Sequence, residues 1–260
     1  MLYLCKAINM LRDYSIYNKP LLAITSPKAL ITTINAHCYN ISMSDKFYQE
    51  AILNSYALIP DGISVVWATR WLTGLKLKKI SGADLFFYEL DRLQKTGGKC
   101  FFLGSTQTTL NKITERMLQE YPDIKVNNYS PPFKPEFSSE DNLAIMSAIN
   151  AFQPDVLFVG MTAPKQEKWA YQHFNQLNVG HVCCIGAVFD FYAGTIKRAP
   201  QWMIKLGLEW FYRLIKEPIR MWRRYLLGNI KFVWAVVREK YRLDSKNIHE
   251  SSIPNRDISR

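Results

Sequence analysis

Six short apolar runs recur between residues 30 and 186, each separated from the next by a segment long enough for a helix. The runs are Leu30–Asn35, Tyr56–Pro60, Lys99–Gly104, Ile124–Tyr129, Asp155–Gly160 and His181–Gly186. Their five or six residues suit strands buried on both faces, which read as nearly continuous apolar stretches rather than as an alternation. Amphipathic segments such as Gln107–Tyr121, Ser139–Phe152 and Pro164–Leu177 fall between them. Strand and helix in regular alternation predict an α/β fold with a parallel sheet flanked by helices.

In a Rossmann-like sheet of this kind, ligands bind beyond the carboxyl ends of the strands, so the residues just after each run carry the functional expectation. Gly104, Ser105 and Thr106 lead from a run into a helix whose first amides suit a phosphate, although an ordinary helix cap fits the same residues. Pro164 is expected at the first position of a helix, with Lys165, Gln166 and Glu167 in its first turn. "PDG" (Pro60–Gly62) is a turn in which Asp61 either caps the next helix or offers a carboxylate at the binding edge.

The strand rhythm stops near Thr195, and there the composition changes. Residues 1–195 hold 18 Lys/Arg against 16 Asp/Glu, whereas residues 196–260 hold 15 against 6. The expected division is therefore an α/β domain over 1–195 and a basic, Trp-rich appendage over 196–260. Taken as one helix at about 100° per residue, Phe211, Ile215, Pro218, Trp222 and Leu226 share a face, opposite Arg213, Lys216, Arg220, Arg223 and Arg224. Pro218 interrupts such a helix, so two shorter helices meeting near Glu217 fit equally well. Either arrangement is amphipathic and suits an anionic membrane surface; a polyanion such as nucleic acid is the competing partner.

Five cysteines without a C-x-x-C pair read as reduced thiols, with Cys183 and Cys184 as core filler. No apolar stretch approaches the ~18 residues of a membrane span, which predicts a cytoplasmic protein with peripheral membrane contact. The four histidines lack metal-ligand spacing, and no two of the eleven aspartates stand two apart. No metal and no cofactor are therefore expected.

The stretches "TTINA" (Thr32–Ala36), "IPDGISVVWA" (Ile59–Ala68), "KKISGADL" (Lys78–Leu85), "APKQEKW" (Ala163–Trp169), "GAVFDFYAGTIKRAP" (Gly186–Pro200) and "GLEWFYRLIKEPIRMWRRY" (Gly207–Tyr225) resemble, in order, those of the WecG/TagA/CpsF family of bacterial glycosyltransferases. The resemblance implies an inverting transfer of a sugar, often of N-acetylmannosamine type, from a UDP-sugar to an undecaprenyl-diphosphate-linked amino sugar. It places that reaction on the inner face of the cell membrane, in the making of capsule, teichoic acid or other surface polysaccharide. It implies Asp61 as general base, Thr33 and Asn35 as substrate contacts, and Gln166 as the helix-start glutamine of the site. Lys79 stands where the family commonly has Arg, and His37 where an acidic residue is common. The diphosphate contacts expected are Lys79, Gly104 and the tail arginines Arg213, Arg220 and Arg223. The oligomeric state stays open, and a nucleic-acid-binding protein using the basic tail is the alternative from a different class.

Overall fold

The computed structural model describes residues 11–251, apart from the side chains of residues 205, 220, 244 and 246–251. Six strands form one parallel sheet: β1 Ala29–Ile34, β2 Ala57–Pro60, β3 Lys99–Gly104, β4 Lys125–Tyr129, β5 Val156–Gly160 and β6 His181–Cys184. Each lies within two residues of the run expected for it. The spatial order is β2-β1-β6-β5-β3-β4. The chain leaves β3 toward β4 and leaves β5 toward β6, in opposite directions, which opens a crevice at the carboxyl ends of β3 and β5.

The helices are α1 Ala36–Ser42, α2 Lys46–Leu53, α3 Ile63–Thr73, α4 Gly82–Thr96, α5 Gln107–Glu120, α6 Ser139–Phe152, α7 Lys165–His173, α8 Val188–Tyr192, α9 Gln201–Lys205, α10 Glu209–Lys216, α11 Pro218–Trp222 and α12 Gly228–Ser251, with a π-helical turn at Arg223–Leu227. Side chains alternate across each strand, so neighbours in sequence enter different cores. Phe102, Phe158 and Cys183 pack with Phe86 and Leu90 of α4, Leu110 of α5 and Phe189 of α8. Phe101, Leu157 and Cys184 pack on the opposite face, with Ile145 of α6 and Trp169 of α7. Cys183 and Cys184 are thus apolar filler on the two faces.

The tail is built into this body. Phe232 and Val236 of α12 are buried with Tyr39 of α1, Tyr48 of α2 and Leu72 of α3, and Glu239 accepts the backbone N–H groups of Leu11 and Arg12 at 2.8 and 3.1 Å. Composition changes at Thr195, while packing runs across it.

One ion pair lies at the far end of the sheet from the site. The His181 ring faces Glu89 Oε1 at 2.8 Å through Nδ1 and the Ser26 carbonyl at 2.9 Å through Nε2. With acceptors at both nitrogens the geometry suits an imidazolium, and the hydrogen bond and charge of Glu89, with the Ser26 carbonyl, raise the His181 pKa despite burial. Because the folded pKa lies above the unfolded one, its stabilisation is complete below about 6.5 and is lost as pH rises through the higher folded value. Urea midpoints of the wild type should therefore fall across that range. His181→Gln should lower stability by about 3 kcal/mol, the low end for a broken buried pair because Arg92 still holds Glu89, and should flatten the pH dependence. A wild-type midpoint independent of pH above 6.5 would show that this pair carries no charge.

Candidate active site

Four loops meet beyond the carboxyl ends of β1, β2, β5 and β6. Thr33, Asn35 and Asp61 lie on one side of the sheet by the two-residue strand period, since Thr33 pairs with Ile59 in the parallel register of β1 and β2. That side carries α4 and α8. Asn35 caps α1, its Oδ1 accepting the N–H groups of His37 and Cys38 at 3.0 and 3.1 Å; among the described residues no protein group takes its amide hydrogens. A Cβ on Gly62 would stand 3.1 Å from Asn35 Cβ. The Asp61 N–H donates to the Ile34 carbonyl at 2.9 Å, closing the two strand ends together.

Asp61 does not cap α3. The cap is Gly62, with no side-chain hydrogen bond, and among the described residues no hydrogen bond or ion pair holds the Asp61 carboxylate. Burial raises its pKa to about 7; Glu209 and Asp84 push the same way, against Lys79 and Arg198. A carboxyl group half-shielded from water and poised near neutrality is what proton abstraction from a hydroxyl requires. Lys79 keeps the single charge expected of the family's arginine without its fork. Next to it, α4 opens with a capping box between Ser81 and Asp84, and Gly82 lies so close to Ile185 that a Cβ would stand 3.2 Å from its carbonyl oxygen.

Gln166 is buried and fully engaged. Its Oε1 accepts the N–H groups of Met161 and Gly186 at 3.3 and 3.2 Å, and its Nε2 donates to Glu167 at 2.8 Å. It ties the loops after β5 and β6 to α7, which makes it a positioning residue in this structure rather than an open contact. The helix itself starts at Lys165, so Pro164 is the cap and not the first helical residue. Gly104 lies at φ +117°, and a Cβ there would stand 2.6 Å from the Gly160 carbonyl. The close pairing of the two loops explains this glycine. Four strand intervals, roughly 19 Å at sheet spacing, separate the ends of β2 and β3. Gly104 and Asp61 therefore cannot contact the same sugar ring, and only an extended ligand reaches both.

The tail covers the site from above. Arg198 and Glu209 form a pair at 3.2 Å, and both act on Asp61. Gly207 rests on Ile63, the first residue of α3, at a positive φ of 73°. The chain breaks at Glu217, giving the two short helices of the second expectation. Their orientation is the reverse of a soluble amphipathic helix: Phe211, Ile215, Trp222 and Leu226 face solvent and Ile219 is 90% exposed. Arg213 and Arg224 turn inward, each with its Nε buried and, among the described residues, without a hydrogen-bond partner. The Arg213 guanidinium lies 5.7 Å over Phe191 of α8, the short helix that follows β6.

Arg223 is not brought to the site. It is exposed and stacks at 5.3 Å over Trp222. Its neighbour Arg224 takes the inward place, where its charge reaches His37 and Glu167. Arg220 belongs to α11, and its side chain lies outside the described residues. Sequence reasoning missed Arg224, Glu209, Arg198 and Glu167. The last is wholly buried, its Oε2 without a hydrogen-bond partner among the described residues, with a pKa raised by burial to about 7. His37 is half-buried and its pKa drops to about 4, through burial and Arg224, so a neutral ring stands where an acid is common.

The chain is similar to known glycosyltransferases. A family model described as the glycosyl transferase WecG/TagA/CpsF family matches residues 15–246. An N-acetylglucosaminyldiphosphoundecaprenol N-acetyl-beta-D-mannosaminyltransferase of Bacillus subtilis is 32% identical over 212 residues, 82% of this chain and 80% of its own. A protein of the same name from Bacillus spizizenii is 30% identical over the same shares. One from Staphylococcus aureus is 28% identical over 217 residues, 82% of this chain and 81% of its own. With the match running from residue 15, ahead of β1, through the whole parallel sheet and into α12, the chain belongs to the WecG/TagA/CpsF family of glycosyltransferases.

Proposed function

We propose that this protein moves an N-acetylmannosamine-type sugar from UDP to a hydroxyl of an undecaprenyl-diphosphate-linked amino sugar, with inversion, at the inner face of the cell membrane. The observation that carries the reading is Asp61: a carboxylate at the sheet's binding edge, free of any capping role, raised to about 7 by burial and by the tail's Glu209. The names of the relatives supply the acceptor and sugar classes.

In the proposed step the acceptor oxygen attacks C1 of the donor as the C1–O bond to UDP breaks. UDP departs with the electron pair, and the hydroxyl proton passes to Asp61. Arg213, Lys79 and the amides opening α4 and α5 meet the charge that grows on the leaving diphosphate. Thr33 and Asn35 hold the sugar beside Asp61, while Gln166 fixes the loops that frame it.

Membrane contact fits the acceptor. Among the described residues no helix is long and apolar enough to cross a bilayer, yet the tail exposes an apolar stripe and carries a net +9. The same stripe disfavours nucleic acid as partner, because a polyanion would meet apolar side chains where it needs cations.

Purified protein given UDP-N-acetylmannosamine and a short-chain lipid diphosphate bearing N-acetylglucosamine should release UDP and form the disaccharide lipid. If neither this donor nor a panel of other UDP-sugars yields a product with a competent acceptor, the reading fails.

A further inference from the structure

The stretch between Asp61 and Asp84 holds four basic residues, Arg70, Lys76, Lys78 and Lys79, and no acidic one. Most of it is α3, which buries Val65, Val66, Ala68, Thr69 and Leu72 against the sheet and α1. On its outward side Trp67 and Trp71, one turn apart, are 68% and 51% exposed, and Leu75 beyond them is exposed as well. An indole left in water forgoes much of the stabilisation that burial would supply, and two exposed a turn apart with Arg70 between them in sequence are not a plain solvated face.

The neighbouring helix repeats the pattern. α12 packs against α3. At about 100° per residue, its buried stripe of Phe232, Val236 and Glu239 lies opposite Ile230, Val233, Trp234 and Tyr241, all exposed. Lys231, Arg238 and Arg242 flank that outer stripe. Two adjacent helices therefore each turn a tryptophan-bearing, cationic face away from the core. Tryptophan beside Lys and Arg, with no acidic residue between Asp61 and Asp84 on the α3 side, is the composition of an element lying at a bilayer surface.

We propose that α3 and the Gly74–Lys79 loop form a second membrane contact of this protein, anchored by Trp67 and Trp71 in an anionic lipid surface and independent of the tryptophans of the tail. The proposal rests on the membrane reading above. It extends that reading to a helix inside the α/β body, the helix that directly joins Asp61 to Lys79. Docking α3 would hold both ends of that connection at the lipid surface, where the acceptor diphosphate stands.

The test uses the full chain and co-sedimentation with vesicles of phosphatidylcholine, alone or with about one-third phosphatidylglycerol. The wild type should bind the anionic vesicles and lose them at high salt. Trp67→Ser with Trp71→Ser should weaken partition about tenfold, and Lys76→Glu with Lys78→Glu should weaken it similarly. Melting temperature and turnover on a water-soluble acceptor should hold in both. If the wild type binds no vesicle, the membrane reading falls and this proposal with it. If the wild type binds, and Trp202→Ser with Trp234→Ser abolishes binding while the α3 variant partitions like wild type, only the α3 contact is wrong. Should the α3 variant instead convert an oligomer to a monomer by light scattering, with partition unchanged, the face is a self-contact and the proposal is overturned.

Discussion

Asp61→Asn should lower kcat by about a thousandfold or more while the melting temperature and UDP-sugar binding stay near wild type. A general base contributes roughly 10²–10⁴ in rate, and Asn preserves the shape but cannot accept the proton. The fold should tolerate the change because, among the described residues, no hydrogen bond or ion pair depends on the carboxylate, and the helix cap belongs to Gly62. Removing a half-shielded charge beside Glu209 and Asp84 even relieves repulsion. The variant should therefore be as stable as wild type or slightly more so. A stable variant that keeps near wild-type kcat would mean that the proton leaves by another route.

Arg213→Ala should cost about a hundredfold in kcat, the scale of one preorganised donor removed from a developing charge. The assay needs a water-soluble, short-chain acceptor, so that loss of membrane contact cannot imitate loss of chemistry. Arg213 reaches inward over Phe191, and among the described residues its Nε has no protein partner to replace. Arg213→Lys should recover part of the rate, since charge survives and the fork does not. Arg223→Ala should cost much less, because that side chain stacks outward on Trp222. If Arg213→Ala leaves turnover on the soluble acceptor unchanged, the tail contributes no charge to the leaving group.

The contrast between Arg213 and Arg223 marks where sequence reading stops. The sheet was legible because parallel strands buried on both faces, such as Val156–Gly160, leave unbroken apolar runs with glycine at the exit. Spacing alone left Asp61 a choice between cap and base, the family resemblance implied the base, and the structure removes the cap. The orientation of the arginines was not legible: a 100° wheel puts Arg213, Arg223 and Arg224 on one face. The break at Glu217 and the π-helical turn at Arg223–Leu227 reset the register, sending Arg224 inward and Arg223 out. The Arg198–Glu209 pair and the Gln166 bridge join residues that no local periodicity links. Glu167 was read as a first-turn helix residue, and only packing shows that its carboxylate is sealed from water.

The most direct test of Asp61 as the base is the pH dependence of kcat/KM in the wild-type enzyme with a soluble acceptor. A carboxylate whose pKa burial has raised to about 7 works only when ionised. The rate should therefore climb tenfold per pH unit on the acid side and level off near pH 7, with Asp61→Asn losing that limb. A profile that is flat from about pH 5 upward, or that levels off near the ordinary carboxylate value of about 4, would contradict the account.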